Sequence, residues 1–205
     1  MGAMACRLAS LYEYRGYEPD PLSFGVAETR MQELERGRVI NGIVPEIPDR
    51  EFDLLVAFEV LEHLEDDYET LRLWSKWVRP GGHIIVSVPA DPERFDACDR
   101  LVGHVRRYTR DSLGDLFENG GHRMIAIDTW GMPVGYVLEW VRNARAKRVM
   151  GTAEVGTPGS GRLHQPKGSV GALVGMAARP LGVIQAPFRG TDLGVGYVAV
   201  AVVGD

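Results

Sequence analysis

Cysteine is almost absent from this sequence: Cys6 and Cys98 are the two in 205 residues. Two thiols this far apart supply neither a disulfide framework nor a metal-ligand spacing, so both are read as packed or idle, and a reducing cytoplasm is the expected compartment. Long apolar runs are missing too. None reaches the length that spans a bilayer, and the first residues lack the layout of a secretion signal. Positive charge is not in excess: 23 Lys and Arg stand against 28 Asp and Glu, a formal net charge of −5. That balance argues against a general nucleic-acid-binding surface and leaves room only for a local basic patch. No internal repeat is visible. What remains is an ordinary soluble composition, 45% hydrophobic and 25% charged, in a chain long enough for one domain with a substantial core.

What is present is concentrated in residues 51–89, EFDLLVAFEVLEHLEDDYETLRLWSKWVRPGGHIIVSVP. Phe52 to Phe58 is a short, nearly all-apolar run that suits a strand buried on both faces of a parallel sheet. Asp66 and Asp67 can cap a helix whose apolar side is Tyr68, Leu71, Trp74, Trp77 and Val78. Arg79-Pro80-Gly81-Gly82 is expected to stop that helix in a tight turn, and His83 to Val88 to form a second strand. Strand, covering helix and parallel strand make a right-handed βαβ unit. Ligands of such sheets bind beyond the carboxyl ends of the strands, here Phe58-Glu59-Val60 and Pro89-Ala90.

Upstream, ACRLASL suits a short helix and Tyr14 to Glu18 a strand. A helix is expected over residues 22–34, with apolar Leu22, Val26, Met31 and Leu34, and Arg38-Val39-Ile40 is strand-like after Gly37. A nucleotide-binding βαβ unit needs a strand before its first glycine-rich turn, and none precedes Gly2. Downstream, Glu93 to Val102 is expected to be a short helix. Thr109 or Asp111 can cap Ser112 to Asn119, and Arg123 to Thr129 reads as a strand. Val134 to Arg148 reads as a helix, with Val134, Val137, Leu138 and Val141 on one side and Arg142, Arg145, Lys147 and Arg148 at its end. That helix suits a substrate lid, a dimer contact or a peripheral membrane contact. Residues 151–169 are rich in Gly, Ser and Pro, residues 170–178 suit a short helix, and Tyr197 to Val203 suits the last strand.

FDLLVAFEVLEHL followed by VRPGGHIIVSVP resembles the second half of a class I S-adenosylmethionine-dependent methyltransferase, with strand, E-x-L-E-H-L turn, helix and R-P-G-G turn in order. The resemblance covers most of residues 1–130. It implies an α/β three-layer sandwich: a Rossmann-like, mostly parallel sheet with its last strand antiparallel and, here, its first strand missing. One domain spanning 1–205 is expected, with a cofactor-binding core over 1–130 and a lid or insertion over 131–190. By the same resemblance Gly2-Ala3 looks like the end of the family's glycine loop, so a shortened version of a longer protein is expected. Glu18, in Glu18-Pro19 at a strand tip, takes the place of the acid that binds the cofactor ribose; by itself it reads as an exposed carboxylate in a Pro-rich turn. Ile43 and Val44 take the place that flanks the adenine, and Phe58, Glu59 and Val60 the methionine end.

Glu59, Glu62 and His63 are spaced i, i+3 and i+4, which on a helical turn gives them one face. Three readings stand. Glu59 and His63 lie near the cofactor while Glu62 complements a helix N-terminus; or His63 is a satisfied core histidine; or Glu59, Glu62, His63 and His104 hold a divalent cation. E-x-x-E-H with a later histidine is similar to the metal-binding pattern of ubiquinone-pathway O-methyltransferases and small-RNA 2′-O-methyltransferases, and the same residues occur in relatives with no metal implied. His104, in H-V-R-R-Y-T, is a candidate general base along with His63, or it fastens its loop while Arg106 and Arg107 are solvated. The expected activity is methyl transfer from S-adenosylmethionine to a small-molecule, lipid or glycan acceptor. The alternative is a non-catalytic methyltransferase-like fragment that serves as an interaction module.

Overall fold

The structure is a computed structural model that describes residues 3–32, 37–42, 50–151 and 184–204. Leu34, Ile43, Val44 and the expected helix over 170–178 lie outside those residues. The chain divides into two compact units, one holding β1 and β2 and the other β3 to β6.

The smaller unit runs α1 (Ala3–Ala9), β1 (Tyr14–Glu18), α2 (Pro21–Met31) and β2 (Gly37–Asn41), with β1 and β2 parallel from Tyr14↔Gly37 to Glu18↔Asn41. Asp20 starts α2: its Oδ2 accepts the Ser23 N–H at 2.9 Å and the Ser23 hydroxyl at 2.6 Å. Pro21 fits the first turn because its missing N–H would have no helical partner there. Of the apolar residues of α2 named from sequence, Met31 is buried and Leu22 and Val26 are not. Ser23 and Ala27 are the other buried positions. Positions 23, 27 and 31 make an i, i+4, i+8 stripe of mostly small side chains, which lets the helix approach its strand closely.

The larger unit has a four-stranded sheet in the order β3 (Phe52–Phe58), β4 (Val78–Pro89), β6 (Gly196–Val202), β5 (Arg123–Trp130). β3 and β4 are parallel, and β6 is antiparallel to both its neighbours. The parallel pairs and the antiparallel last strand agree with expectation; the described strands fall into two sheets of two and four. Leu71 of α3 (Asp67–Lys76) and Leu113 and Phe117 of α5 (Arg110–Asn119) pack with Ile84, Val86 and Val88 of β4 and Tyr197, Ala199 and Ala201 of β6. Asp66 caps α3 through Glu69 N–H, and Thr109 caps α5 in a reciprocal box with Ser112.

The R-P-G-G segment does not terminate the helix. α3 ends at Lys76 and Val78 already pairs with Phe52, after which the register moves to Leu54↔His83. Residues 79–82 are therefore a bulge inside β4. Gly81 N–H bonds Val203 O at 3.0 Å, and Val203 N–H bonds Gly82 O at 2.9 Å. A Cβ on Gly82 would lie 2.8 Å from Arg79 O and 2.9 Å from Asp53 O, so the bulge excludes a side chain.

Glu93 to Val102 is likewise not one helix. A 3-10 turn over Pro92–Arg94 is followed by α4 (Ala97–Val102), because Asp96 caps α4 in a reciprocal box with Asp99. α4 packs on α6 (Val134–Met150) through Ala97, Leu101 and Ala146. The expected apolar side of α6, Val134, Val137, Leu138 and Val141, is exposed, and Gly135, Glu139 and Ala146 are the buried positions. No helix among the described residues is long and apolar enough to cross a membrane.

Candidate active site

Beyond the carboxyl ends of β3 and β4 the chain makes two short connections that meet. The first leaves β3 at Phe58. Glu59 adopts φ +54°, donating its N–H to Ser87 O at 3.0 Å and accepting the Ser87 hydroxyl on Oε1 at 2.8 Å. Leu61–His63 then form a single 3-10 turn. Glu59 lies outside that turn, so the shared helical face expected of Glu59, Glu62 and His63 does not form.

The second connection is residues 103–109, after α4. Tyr108 N–H bonds Pro89 O at 3.0 Å, and Asp91 N–H bonds Tyr108 O at 2.8 Å, tying the segment to the end of β4. Val105 N–H bonds Glu62 O at 2.8 Å. Arg106 bonds Glu65 O at 2.7 Å and pairs with Asp67 at 3.0 Å, and Asp67 also accepts the Tyr108 hydroxyl at 2.8 Å. These contacts set His104 beside the 3-10 turn. Its ring meets that of His63 edge to face, with centroids 4.7 Å apart.

Glu62 is 0% exposed, and neither carboxyl oxygen has a hydrogen-bond partner among the described residues. His104 Nε2 lies 3.7 Å from Oε1, too far for a hydrogen bond. Burial, then the charge of Glu59, with a further contribution from Asp99, pushes the Glu62 carboxyl up to about 8. Loss of water around its carboxyl also raises Glu59, against the lowering effect of the Ser87 hydroxyl. One donor atom each from Glu62, His63 and His104 lies within 4.8 Å of the others, an arrangement able to hold a metal ion. Glu59, the fourth expected ligand, is not in that group.

Hydrogen bonds assign the imidazole tautomers. His104 Nδ1 lies 2.8 Å from Asp99 Oδ1, and His63 Nδ1 lies 3.1 Å from Gly103 O. A carboxylate and a carbonyl only accept, so each Nδ1 carries a proton, and in the neutral ring Nε2 is the nitrogen with the lone pair. Burial, then the neighbouring His104, lowers the His63 pKa and keeps that ring neutral. Burial alone would raise the Asp99 carboxyl, but hydrogen bonds from His104 and Arg107 outweigh it and hold Asp99 well below the usual carboxylate range. Two lone pairs and a buried carboxyl thus face one another, a set able to bind a cation or to take a proton from a substrate.

Three residues of this site escape a sequence-based reading: Asp99, Arg107 and Glu139. Arg107, expected to be solvated, is buried and donates to both Asp99 oxygens, at 2.9 and 2.7 Å. The one available signal was the Asp96-x-x-Asp99 spacing of a capping box.

In the smaller unit, Glu18 is the last residue of β1 and its Oε1 accepts Asp20 N–H at 3.0 Å. That bond, with Pro19 between strand and helix, holds the carboxylate at the strand end. Ala3 opens α1, while Gly2, Ile43 and Val44 lie outside the described residues. Phe58 is exposed at the end of β3; Glu59 is exposed as a residue although its carboxyl turns onto the buried Ser87 hydroxyl, and Val60 is packed against the core.

The sequence pattern of a family described as a methyltransferase domain matches residues 6–127. The chain belongs to this methyltransferase family. Its fold is that of class I S-adenosylmethionine-dependent methyltransferases, and solved structures agree. The YcgJ protein from Bacillus subtilis has a TM-score of 0.65 at 14% identity, covering 100% of this chain and 88% of its own. Phosphoethanolamine N-methyltransferase 2 from Haemonchus contortus, in complex with S-adenosyl-L-methionine, has a TM-score of 0.59 at 15% identity over 100% of this chain and 46% of its own. In sequence, phosphoethanolamine N-methyltransferase from Triticum aestivum is 29% identical over 87 residues, 40% of this chain. The matched stretch spans 17% of the wheat enzyme's length.

Proposed function

We propose that the protein transfers the methyl group of S-adenosylmethionine to a hydroxyl of a small-molecule acceptor, with His104 as general base. The observation that carries this is the His104 imidazole, held by Asp99 through Nδ1 so that Nε2 is left for the acceptor, 3.7 Å from Glu62 Oε1. The cofactor supplies an electrophilic methyl on a sulfonium sulfur, and the protein's task is alignment and proton removal. Glu18 holds the ribose hydroxyls. Phe58, Glu59 and Val60 border the methionine end, with Glu59 fixed by Ser87. His104 takes the acceptor hydroxyl proton at Nε2. A lipid-like acceptor belongs to the same proposal, since it too offers a hydroxyl.

A second reading has its own support. The orphaned carboxyl of Glu62 with the two imidazoles suits a Zn-, Mn- or Fe-like cation. Such an ion would be held by Glu62, His63 and His104, and would supply Lewis acidity toward the acceptor oxygen.

Calorimetric titration with S-adenosylmethionine tests the first step, and Glu18→Ala should weaken it on the order of tenfold through loss of a charge-assisted bond. His104→Ala should leave cofactor affinity unchanged and lower turnover roughly 100-fold or more. Phosphoethanolamine, suggested by the wheat relative, and hydroxyl-bearing acceptors are the first to try; turnover with an amine that is indifferent to His104→Ala would overturn the hydroxyl assignment. Absence of cofactor binding would leave a non-catalytic interaction module. Loss of turnover in chelator, restored by one divalent ion, would select the metal reading.

A further inference from the structure

His104 does not hold its orientation alone. Asp99 accepts from His104 Nδ1 on Oδ1 at 2.8 Å, from Arg107 on both oxygens, and from Asp96 N–H on Oδ2 at 3.0 Å. Arg107 also donates to Ala90 O at 3.2 Å, and its Nη1 pairs at 2.6 Å with Oε1 of Glu139. Glu139, on α6, is paired in turn with Arg94 from the 3-10 turn after β4. Asp99, Arg107 and Glu139 are all buried. Two acids and two guanidinium groups from three elements and one loop thus alternate in a line that ends on the imidazole, with no net charge. Each member removed strands its neighbour as an unpaired buried ion.

We propose that Asp99, Arg107 and Glu139 are positioning residues for His104, a buried charge chain through which helix α6 fixes the imidazole as its Nδ1–H tautomer. This rests on the general-base or ligand role given to His104 above, yet the tautomer is measurable without turnover. The chemistry is specific. Asp99 offers only acceptor oxygens, so His104 must present a proton at Nδ1 and a lone pair at Nε2. An asparagine there has one oxygen and one NH₂. Arg107 and the Asp96 N–H compete with His104 for that oxygen, and an NH₂ turned toward His104 demands the opposite tautomer, with Nε2 protonated and unable to accept. Arg107 holds the carboxylate in one orientation through two parallel bonds. Glu139 balances Arg107 from α6 and so ties the position of that helix to the geometry of Asp99. The same arrangement, a carboxylate behind a histidine whose other nitrogen is the working atom, is how ligand imidazoles are oriented in metal sites.

The test is nitrogen-15 NMR of the full chain labelled at histidine, without cofactor or metal, where the two ring nitrogens of each tautomer have distinct shifts. The native protein should show His104 with a protonated Nδ1 and a bare Nε2, the resonance being assigned with His104→Gln. Asp99→Asn should move a large part of the population to the Nε2–H form. Glu139→Gln, which keeps size and shape at a position away from the imidazole, should produce the same shift in smaller measure. It serves as the deciding variant if Asp99→Asn does not fold. Arg107→Lys, which retains charge but not the paired bonds, should fall between them. A native-like Nδ1–H spectrum in folded Glu139→Gln would overturn the role of α6, and the same result in folded Asp99→Asn would overturn the chain as a whole. In turnover, Glu139→Gln should lower kcat on the order of tenfold with KM for the cofactor unchanged. A normal kcat beside a shifted tautomer would count against the base assigned above and leave the positioning chain intact.

Discussion

Glu62 is a full carboxyl group with no hydrogen-bond donor among the described residues, whereas Asp99 accepts from Arg107 and Glu139 is paired with Arg94 and Arg107. A polar atom left this way costs the fold free energy, and such costs persist where function requires them. Glu62→Met keeps the volume and removes the orphaned oxygens. Measured in chelator, the variant should be more stable by about 1–3 kcal/mol and should lose methyl transfer; a lower melting temperature would mean that the carboxyl is satisfied in solution. Both ring nitrogens of buried His122 also lack a hydrogen-bond partner among the described residues, and its ring lies near Phe117 with centroids 6.4 Å apart. Burial lowers its pKa. Below about 6.5 the unfolded chain binds a proton that the folded one resists, so stability is greatest above that pH and falls as pH drops through the folded pKa. Denaturant midpoints of His122→Phe between pH 7.5 and 5 should lose that part of the acid sensitivity; a slope identical to the native protein's would remove His122 as its source.

At the scale of elements, α6 is turned relative to its apolar pattern. Val137, Leu138 and Trp140 are exposed, Trp140 by 72%, while a glutamate faces inward. The buried pairing of Glu139 with Arg94 and Arg107, and the small Ala146 against Ala97 and Leu101, set this rotation. Trp140→Ser should therefore change stability by less than about 0.5 kcal/mol. Ala146→Leu should cost about 1–3 kcal/mol by overpacking the contact with α4. Thermal unfolding of the two variants separates this orientation from the reverse one, in which Trp140→Ser is the damaging change.

Across the larger unit, a single hydrophobic cluster joins α3, α5, β4 and β6, and Phe117 is its largest fully buried side chain. Phe117→Ala should cost roughly 3–5 kcal/mol. Because the cluster holds four elements together, the urea midpoint should move while the slope stays constant; a changed slope would mean that α5 detaches by itself.

The strands were legible because Phe52 to Phe58, His83 to Val88 and Tyr197 to Val203 are short runs dominated by apolar residues in local sequence alone. Burial on both faces, expected of Phe52 to Phe58, is not found there, where Ala57 alone is buried. The capped start of α3 was legible for a similar reason: an N-cap is a contact across three residues. Glu62, His63 and His104 could be named as candidates because their side chains carry the chemistry wherever they stand. Tertiary structure alone decided the rest. Which face of α2 or α6 turns inward depends on the size of what it meets, and small or charged residues won both positions over larger apolar ones. The glycines after Arg79 gave the same signal for a helix stop as for a bulge, and pairing with Phe52 and Val203 chose the bulge. Glu59 left the expected cluster through one positive φ and a bond to Ser87, 28 residues away. Arg107 became buried because Asp99 and Glu139, eight residues before it and 32 after, converge on its guanidinium. An ion pair between distant residues leaves no periodicity in a sequence, so the chain that orients His104 exists only once the fold has closed.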